Sequence, residues 1–402
     1  MTTDCRVCGS KLSPDRLDFG PHAVRNRFLR SADESAYAHP LALAYCGSCA
    51  TVQLADPPPV SELRPRFGWI GYNEPEGHLD HLVNVLARLP GATPRSAFAG
   101  LTYKDDTTLT RLNCLGFEYT WRPDVARDLL VAEPFAGIES VQATLARDRA
   151  EELGARFGRP DVLIVRHVLE HTHDTRAALE WTATLVRPGG HVVFEVPDTV
   201  RALDRLDYTT VWEEHTLYFS EATLAACLAR GGFEVVALET YPYTLENSLV
   251  AIARAGGKGQ PPAAPPAEFS RARRFVREFP RVRDRVQAQL RDRGRVAMLG
   301  AGHLTGAFIN LYGLADRIDF VADDNANKQG LFMPGSRLPI LPSSELVARG
   351  IDLCLMTVRP EIESAVAAKN AAFTAGGGIL ASVFPDSPYS LDRLDRRAGA
   401  VA

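Results

Sequence analysis

Between residues 96 and 256, short apolar runs alternate with amphipathic stretches. Asp161-Val162-Leu163-Ile164-Val165 is short and rich in branched apolar residues, which predicts a buried parallel strand entered after Arg159-Pro160. Residues 175–186 have helical spacing and meet a stop at Pro188-Gly189-Gly190. His191-Val192-Val193-Phe194-Glu195-Val196 predicts the next strand. Ser220 suits the N-cap of a helix opening at Glu221 and ending at Gly231-Gly232, and Phe233-Glu234-Val235-Val236-Ala237-Leu238 predicts a strand after it. Such alternation predicts a mostly parallel sheet covered by helices. Residues 256–266 are almost wholly Gly, Pro and Ala, so they read as a linker. Beyond it come an Arg-rich helical stretch over 269–293, then strands at 295–299, 318–322 and 353–356, which predict a second α/β domain. The expected organisation is an N-terminal segment 1–65, a central domain 66–256, a linker 257–268 and a C-terminal domain 269–402.

Composition narrows the function classes. The chain has 402 residues, 46% hydrophobic and 23% charged, with a net charge of −4. Near-neutral balance gives no electrostatic reason for a nucleic-acid partner. No run of about 18 apolar residues is present, so no membrane span is expected. The first residues lack a basic and an apolar region of a signal peptide. The Arg-rich stretch carries Phe275, Val276, Phe279, Val282, Val286 and Leu290 on one face, which predicts a packed helix rather than a basic arm. Seven cysteines are too few for a disulfide scaffold, so a reducing cytoplasmic setting is expected.

Four cysteines form two CxxC pairs, Cys5-Arg6-Val7-Cys8 and Cys46-Gly47-Ser48-Cys49. Each pair places two thiolates on one tight turn, and the two turns together suit one tetrahedral zinc at bonds of ~2.3 Å. Four thiolates leave no open position, so the predicted zinc is structural. Cys114, Cys227 and Cys354 read as buried small hydrophobes. In the last domain Gly300-Ala301-Gly302-His303-Leu304-Thr305-Gly306 follows a strand and opens a helix. Such a turn favours an anion at the helix N-terminus, with an acid such as Asp323 on the next strand. A packing module without ligand is the alternative, and His303 either touches a phosphate or caps the turn.

Three strings then line up. Arg166-His167-Val168-Leu169-Glu170-His171 follows a strand, Leu185-Val186-Arg187-Pro188-Gly189-Gly190 precedes one, and Glu213-Glu214-His215-Thr216-Leu217-Tyr218-Phe219-Ser220 precedes a helix. With the CxxC pairs and the Asp323-Asp324-Asn325 string of the last domain, the chain resembles the zinc-containing sugar C-methyltransferase family. The resemblance implies an α/β fold: a four-cysteine zinc segment, a class I methyltransferase-like Rossmann domain and a Rossmann-like C-terminal domain. It implies S-adenosylmethionine as cofactor and a nucleotide-linked keto-deoxysugar as small-molecule substrate. It places the general base at His215 beside Glu214, with His171 or His167 at the developing oxyanion. It implies Tyr72, Gly300, Gly302 and His303 as substrate contacts and Gly100 as the cofactor-binding glycine.

Several positions depart from the family pattern. Trp212 stands where the family usually carries a tyrosine. The cofactor turn reads Phe98-Ala99-Gly100-Leu101-Thr102-Tyr103-Lys104-Asp105-Asp106, with one glycine and with Phe98 at the acid's place. Arg122 falls near the ribose-binding acid, and an arginine there prefers a phosphate. Two alternatives to methyl transfer follow: a descendant that performs only proton transfer on a sugar nucleotide, and a binding protein without chemistry.

Overall fold

A computed structural model describes residues 4–71, 74–133, 135, 137–257 and 259–393. The central sheet has six strands in the order Thr120–Trp121, Phe98–Gly100, Val162–Arg166, His191–Asp198, Asn247–Ala255, Phe233–Tyr241. The first four run parallel, with Phe98 opposite Val162 and Val162 opposite His191. Phe98–Gly100, Val162–Arg166 and residues 192–198 are buried throughout, as covered parallel strands require, and Thr120–Trp121 at the edge is half-buried. One face packs Leu163, Val165, Val192 and Phe194 with Trp181, and the other packs Ile164 and Val193 with Leu79, Leu82 and Phe98. Trp181 is fully buried, and truncating such a side chain to alanine costs about 3–5 kcal/mol.

The sheet is mostly parallel, as the alternation predicts, with one strand reversed. Phe233–Tyr241 is an edge strand paired antiparallel to Asn247–Ala255, which inserts beside His191–Asp198. The inserted strand is buried along nearly its whole length, whereas the edge strand leaves Val236 exposed. Local chemistry sets the helix starts. Asp174 caps Thr175–Leu185 by accepting from Ala177 N at 2.9 Å. Ser220 accepts from Thr223 N at 3.3 Å to open Glu221–Arg230. The long helix runs Pro266–Leu290, so it opens three residues before the expected 269 and shortens the linker. Pro266 stands at its first position, where a missing N–H costs nothing. Its apolar face is buried as the spacing predicts.

A second sheet orders Leu12–Ala23, Ala38–Cys46, Val52–Leu54 and Leu217–Tyr218. Val52 pairs with Tyr218 and Gln53 with Leu217, so a short strand from the middle of the chain completes the N-terminal sheet. The third sheet has five strands ordered Ile340–Leu341, Ile318–Ala322, Val296–Leu299, Leu353–Met356, Ile379–Ser382, and every printed pair is parallel.

The compact units do not follow consecutive segments. One comprises 1–17, 42–204 and 213–276, and the other 18–41, 205–212 and 277–402. Residues 18–41, expected with the zinc segment, pack in the second unit: Leu29 bridges Phe332, and Arg337 donates to Glu34 O at 2.9 Å. Among the described residues no helix is long and apolar enough to cross a membrane.

A four-cysteine centre and a buried histidine–carboxylate cluster

The CxxC turns bring Cys5, Cys8, Cys46 and Cys49 together, with their sulfurs all within 4.8 Å of one another. Cys5 Sγ lies 3.7 Å from Cys49 Sγ, and Cys8 Sγ 3.4 Å from Cys46 Sγ. A tetrahedron of Zn–S bonds near ~2.3 Å has edges of about 3.8 Å, so the set fits zinc. Val7 N donates to Cys5 Sγ at 3.4 Å and Ser48 N to Cys46 Sγ at 3.3 Å, which suits thiolate acceptors. Arg6, inside the first knuckle, donates from its backbone N to Gln53 Oε1 at 3.1 Å and from Nη1 to Leu54 O at 2.6 Å. The knuckle is thereby tied to the strand that pairs with Leu217–Tyr218. Cys227 and Cys354 are buried as expected; Cys114 is exposed at the end of its helix, because apolar spacing there puts Leu109 and Leu112 inward instead.

The same unit holds a second cluster, at the C-terminal ends of Phe98–Gly100 and Val162–Arg166. Strand order reverses between these neighbours, the place where open α/β sheets bind ligands. Four segments supply it. Arg166 to His171 follows one strand and Tyr103 to Asp105 the other. Glu139 comes from helix Ile138–Gln142, and Glu214 and His215 come from the string before Leu217–Tyr218. That string is pinned in place: Thr216 N donates to Glu170 O at 2.7 Å, Thr216 Oγ1 donates to Thr172 O at 2.6 Å, and Leu54 N donates to Thr216 O at 3.0 Å.

The pinning sets the His215 ring against His171, with centroids 4.7 Å apart and planes at 85°. Ligand atoms of Glu170, His171 and His215 lie within 4.8 Å of one another. Those of Glu139, His171 and Glu214 do as well. Glu214 therefore groups with His171 and Glu139, and the carboxylate grouped with His215 is Glu170. Burial pushes the His215 imidazolium down to about 3, against the pull of Glu74. Burial, with the charges of neighbouring His215 and His167, holds His171 well below its ordinary value. Both rings are neutral near pH 7.

His167 behaves oppositely. Burial opposes its charge, but its Nδ1 donates to Glu170 Oε1 at 3.3 Å and its Nε2 to Glu195 Oε1 at 3.2 Å, and it is pushed up to about 10. It sits at φ +53°, a left-handed conformation that costs a non-glycine residue about 1–3 kcal/mol. Arg166 Nε donates to the same Glu195 at 2.6 Å. His167 and Arg166 are thus charged partners of Glu195, and His167 is not a neutral acceptor for a substrate proton. Lys104, buried, donates to Glu74 Oε1 at 2.9 Å.

S-adenosylmethionine needs open donors at the turn after Phe98–Gly100. Here Asp105, fully buried, accepts from Leu101 N at 2.7 Å, Thr102 N at 2.8 Å and Arg166 N at 3.1 Å. A Cβ on Gly100 would stand 2.6 Å from Asp105 Cβ, so the missing side chain makes room for Asp105. A ligand carboxylate reaching these N–H groups has to displace Asp105. Arg122 donates to Asp106 at 2.6 Å, so its charge is already answered. Tyr72 lies outside the described residues.

In the second unit, Gly300 has φ +107° and a Cβ there would meet Thr357 Oγ1 at 3.1 Å, a packing role. Gly302 has open space where a Cβ would be and starts helix His303–Tyr312. Asp323 accepts from Ala301 N at 2.8 Å and Lys328 Nζ at 3.0 Å, so the acid in the ribose position holds its own turn. His303 lies against Trp212, centroids 4.0 Å apart, and 3.3 Å from Arg25 Nη1.

Lys104 belongs to the cofactor turn that already stands out in the sequence. Glu139 lies in no such string: it carries no motif, and only the fold brings it to His171.

Three family models match in chain order: a zinc binding domain over residues 5–63, a methyltransferase domain over 108–238, and a C-methyltransferase C-terminal domain over 267–385. The chain thus carries the three domains in the order zinc segment, methyltransferase domain, C-methyltransferase C-terminal domain, and it is an enzyme of the methyltransferase class. It is 27% identical over 360 residues to the C-methyltransferase NovU of Streptomyces niveus, covering 84% of this chain and 85% of that protein. Among solved structures it is similar to the 1,6-didemethyltoxoflavin-N1-methyltransferase of Burkholderia thailandensis, at 17% identity and TM-score 0.31 over 45% of this chain and 79% of that one. It is also similar to the magnesium protoporphyrin IX methyltransferase of Synechocystis PCC 6803, at 14% identity and TM-score 0.31 over 46% of this chain and 90% of that one.

Proposed function

We propose that the chain methylates a carbon of a nucleotide-linked keto-deoxysugar, with His215 as general base. One observation carries this reading: a neutral, buried imidazole set edge-on against a second neutral imidazole and ringed by carboxylates. A lone pair on the His215 ring takes a proton from the carbon beside the keto group, and the charge moves to the carbonyl oxygen. Lys104 is the ammonium of this cluster, and with His171 it receives the oxyanion. Glu74 favours the charged form of His215 and so stabilises the proton once it arrives. S-adenosylmethionine, when bound, supplies the electrophilic methyl group.

The test is proton exchange in heavy water, followed by NMR on a nucleoside diphosphate-linked keto-deoxysugar. The wild-type chain exchanges the carbon proton, and His215→Gln slows this by about 10²–10⁴-fold. Absence of exchange in the wild-type chain, with and without S-adenosylhomocysteine, would remove the base.

The hold of Asp105 on the turn favours a second reading, in which the chain keeps the proton transfer without the methyl step. Calorimetry with S-adenosylmethionine and S-adenosylhomocysteine separates the two. Binding heat supports methyl transfer; substrate exchange without any binding heat supports the second reading.

A further inference from the structure

We propose that Glu139, His171 and Glu214 form a second metal site, for a divalent first-row cation, distinct from the four-cysteine centre. Their ligand atoms lie within 4.8 Å of one another, and all three residues are buried. His171 Nδ1 lies 3.5 Å from Glu139 Oε1 and has no hydrogen-bond partner among the described residues. A buried ring nitrogen left in this way is desolvated without compensation, and a cation supplies the compensation.

The carboxylates point the same way. Glu139 and Glu214 each offer a carboxylate oxygen to the same space beside His171, within 4.8 Å of one another. A divalent ion there answers both carboxylates. A Cβ on Gly137 would stand 2.6 Å from Glu139 Oε2, so the glycine makes room for the curled carboxylate. One imidazole with two carboxylates suits manganese, iron, cobalt or zinc, and three protein ligands leave positions open. If His215 is the base proposed above, an ion here would hold the substrate oxygen beside the carbon being deprotonated. The metal site itself does not depend on that reading.

Manganese is the probe of choice, because its preference for oxygen and imidazole leaves the cysteine-bound zinc undisturbed. The full chain carrying that zinc is titrated with Mn²⁺, free ion is counted by electron paramagnetic resonance, and bound metals are counted by mass spectrometry. No sugar nucleotide or S-adenosylmethionine is present, so failure of this site and failure of the His215 reading are separate results. The expected result is one saturable Mn²⁺ per chain, weakened at least about tenfold in both Glu139→Gln and His171→Gln, with zinc content unchanged. Gly137→Ala, which crowds the Glu139 carboxylate while leaving all three ligand side chains in the chain, weakens it as well. Absence of saturable Mn²⁺, Co²⁺ or Zn²⁺ beyond the cysteine-bound ion overturns the proposal. So does a second ion that both Glu139→Gln and His171→Gln retain.

Discussion

The two clusters of metal-capable side chains are built in opposite ways. The cysteines come from two turns that each supply a pair, and backbone N–H groups next to them face the sulfurs. The histidine–carboxylate cluster draws one or two side chains from each of several segments, and only the order of strands brings them together. The first is made by local chain geometry and the second by topology. They are nonetheless connected. Arg6 ties the first CxxC turn to Val52–Leu54, that strand pairs with Leu217–Tyr218, and His215 stands just before it. The zinc centre therefore acts as an anchor for the base string.

That connection predicts the largest effect. Structural zinc contributes on the order of 10 kcal/mol in small domains, so its removal outweighs any single side chain. Stripping zinc with a strong chelator under reducing conditions should unfold the N-terminal sheet. It should also expose the Thr216 amide, which now donates to Glu170 O at 2.7 Å. Hydrogen exchange read at Thr216 checks this. Loss of protection in the cysteine turns with Thr216 still protected would show that the clusters are independent.

How much of each cluster can be read from the sequence follows from the same difference. The CxxC spacing needs no fold to be recognised, because i, i+3 cysteines on a tight turn already share one ion. The strands at 162–166 and 191–198 announce themselves by the apolar residues 162–165 and 192–194. Asn247–Ala255 is apolar from Leu249 to Ala253, but only its pairing shows that it runs antiparallel between two neighbours. Glu139 has no signature at all; its neighbours in sequence are ordinary helix residues. The resemblance offers His167 as a place for the developing oxyanion, but the two carboxylates that hold it charged, Glu170 and Glu195, come into view only in the fold. The separation of residues 18–41 from the zinc segment is likewise invisible, because it depends on the bridge between Leu29 and Phe332.

Within the second cluster, the next largest effect belongs to Arg166. It is fully buried and donates to Glu195 at 2.6 Å. Arg166→Met leaves a buried carboxylate short of its partner and costs about 3–5 kcal/mol, measurable by urea unfolding. A loss under about 1 kcal/mol would mean that His167, His78 and Ser248, which also reach Glu195, carry the charge without the arginine.

His167 gives a smaller effect with a distinctive pH dependence. Its ring is raised from 6.5 in the unfolded chain to about 10 in the folded one. The stability it contributes is therefore fully present below about pH 6.5 and is lost as the pH rises through about 10. The melting temperature of the wild-type chain should fall over that window more steeply than that of His167→Gln. Parallel slopes would show that the histidine is neutral throughout. His215 and His171 act with the other sign. Their depressed values make the folded state lose stability as pH falls below about 6.5, so the chain is squeezed from both sides.

The smallest effect separates holding from chemistry. Thr216 is fully buried, and its hydroxyl lies 2.6 Å from Thr172 O and 3.1 Å from Glu170 O. Thr216→Val keeps the shape and removes the donor, at a cost of about 1 kcal/mol in urea unfolding. The backbone bonds of residue 216 remain, so the string stays near His171, but His215 loses one of its restraints. Proton exchange on the keto-deoxysugar should therefore fall modestly, and raising substrate concentration should not restore it. His215→Gln should show the reverse pattern, little change in unfolding and nearly complete loss of exchange. If Thr216→Val abolished exchange as fully as His215→Gln while unfolding normally, the hydroxyl itself would belong to the chemistry rather than to the support.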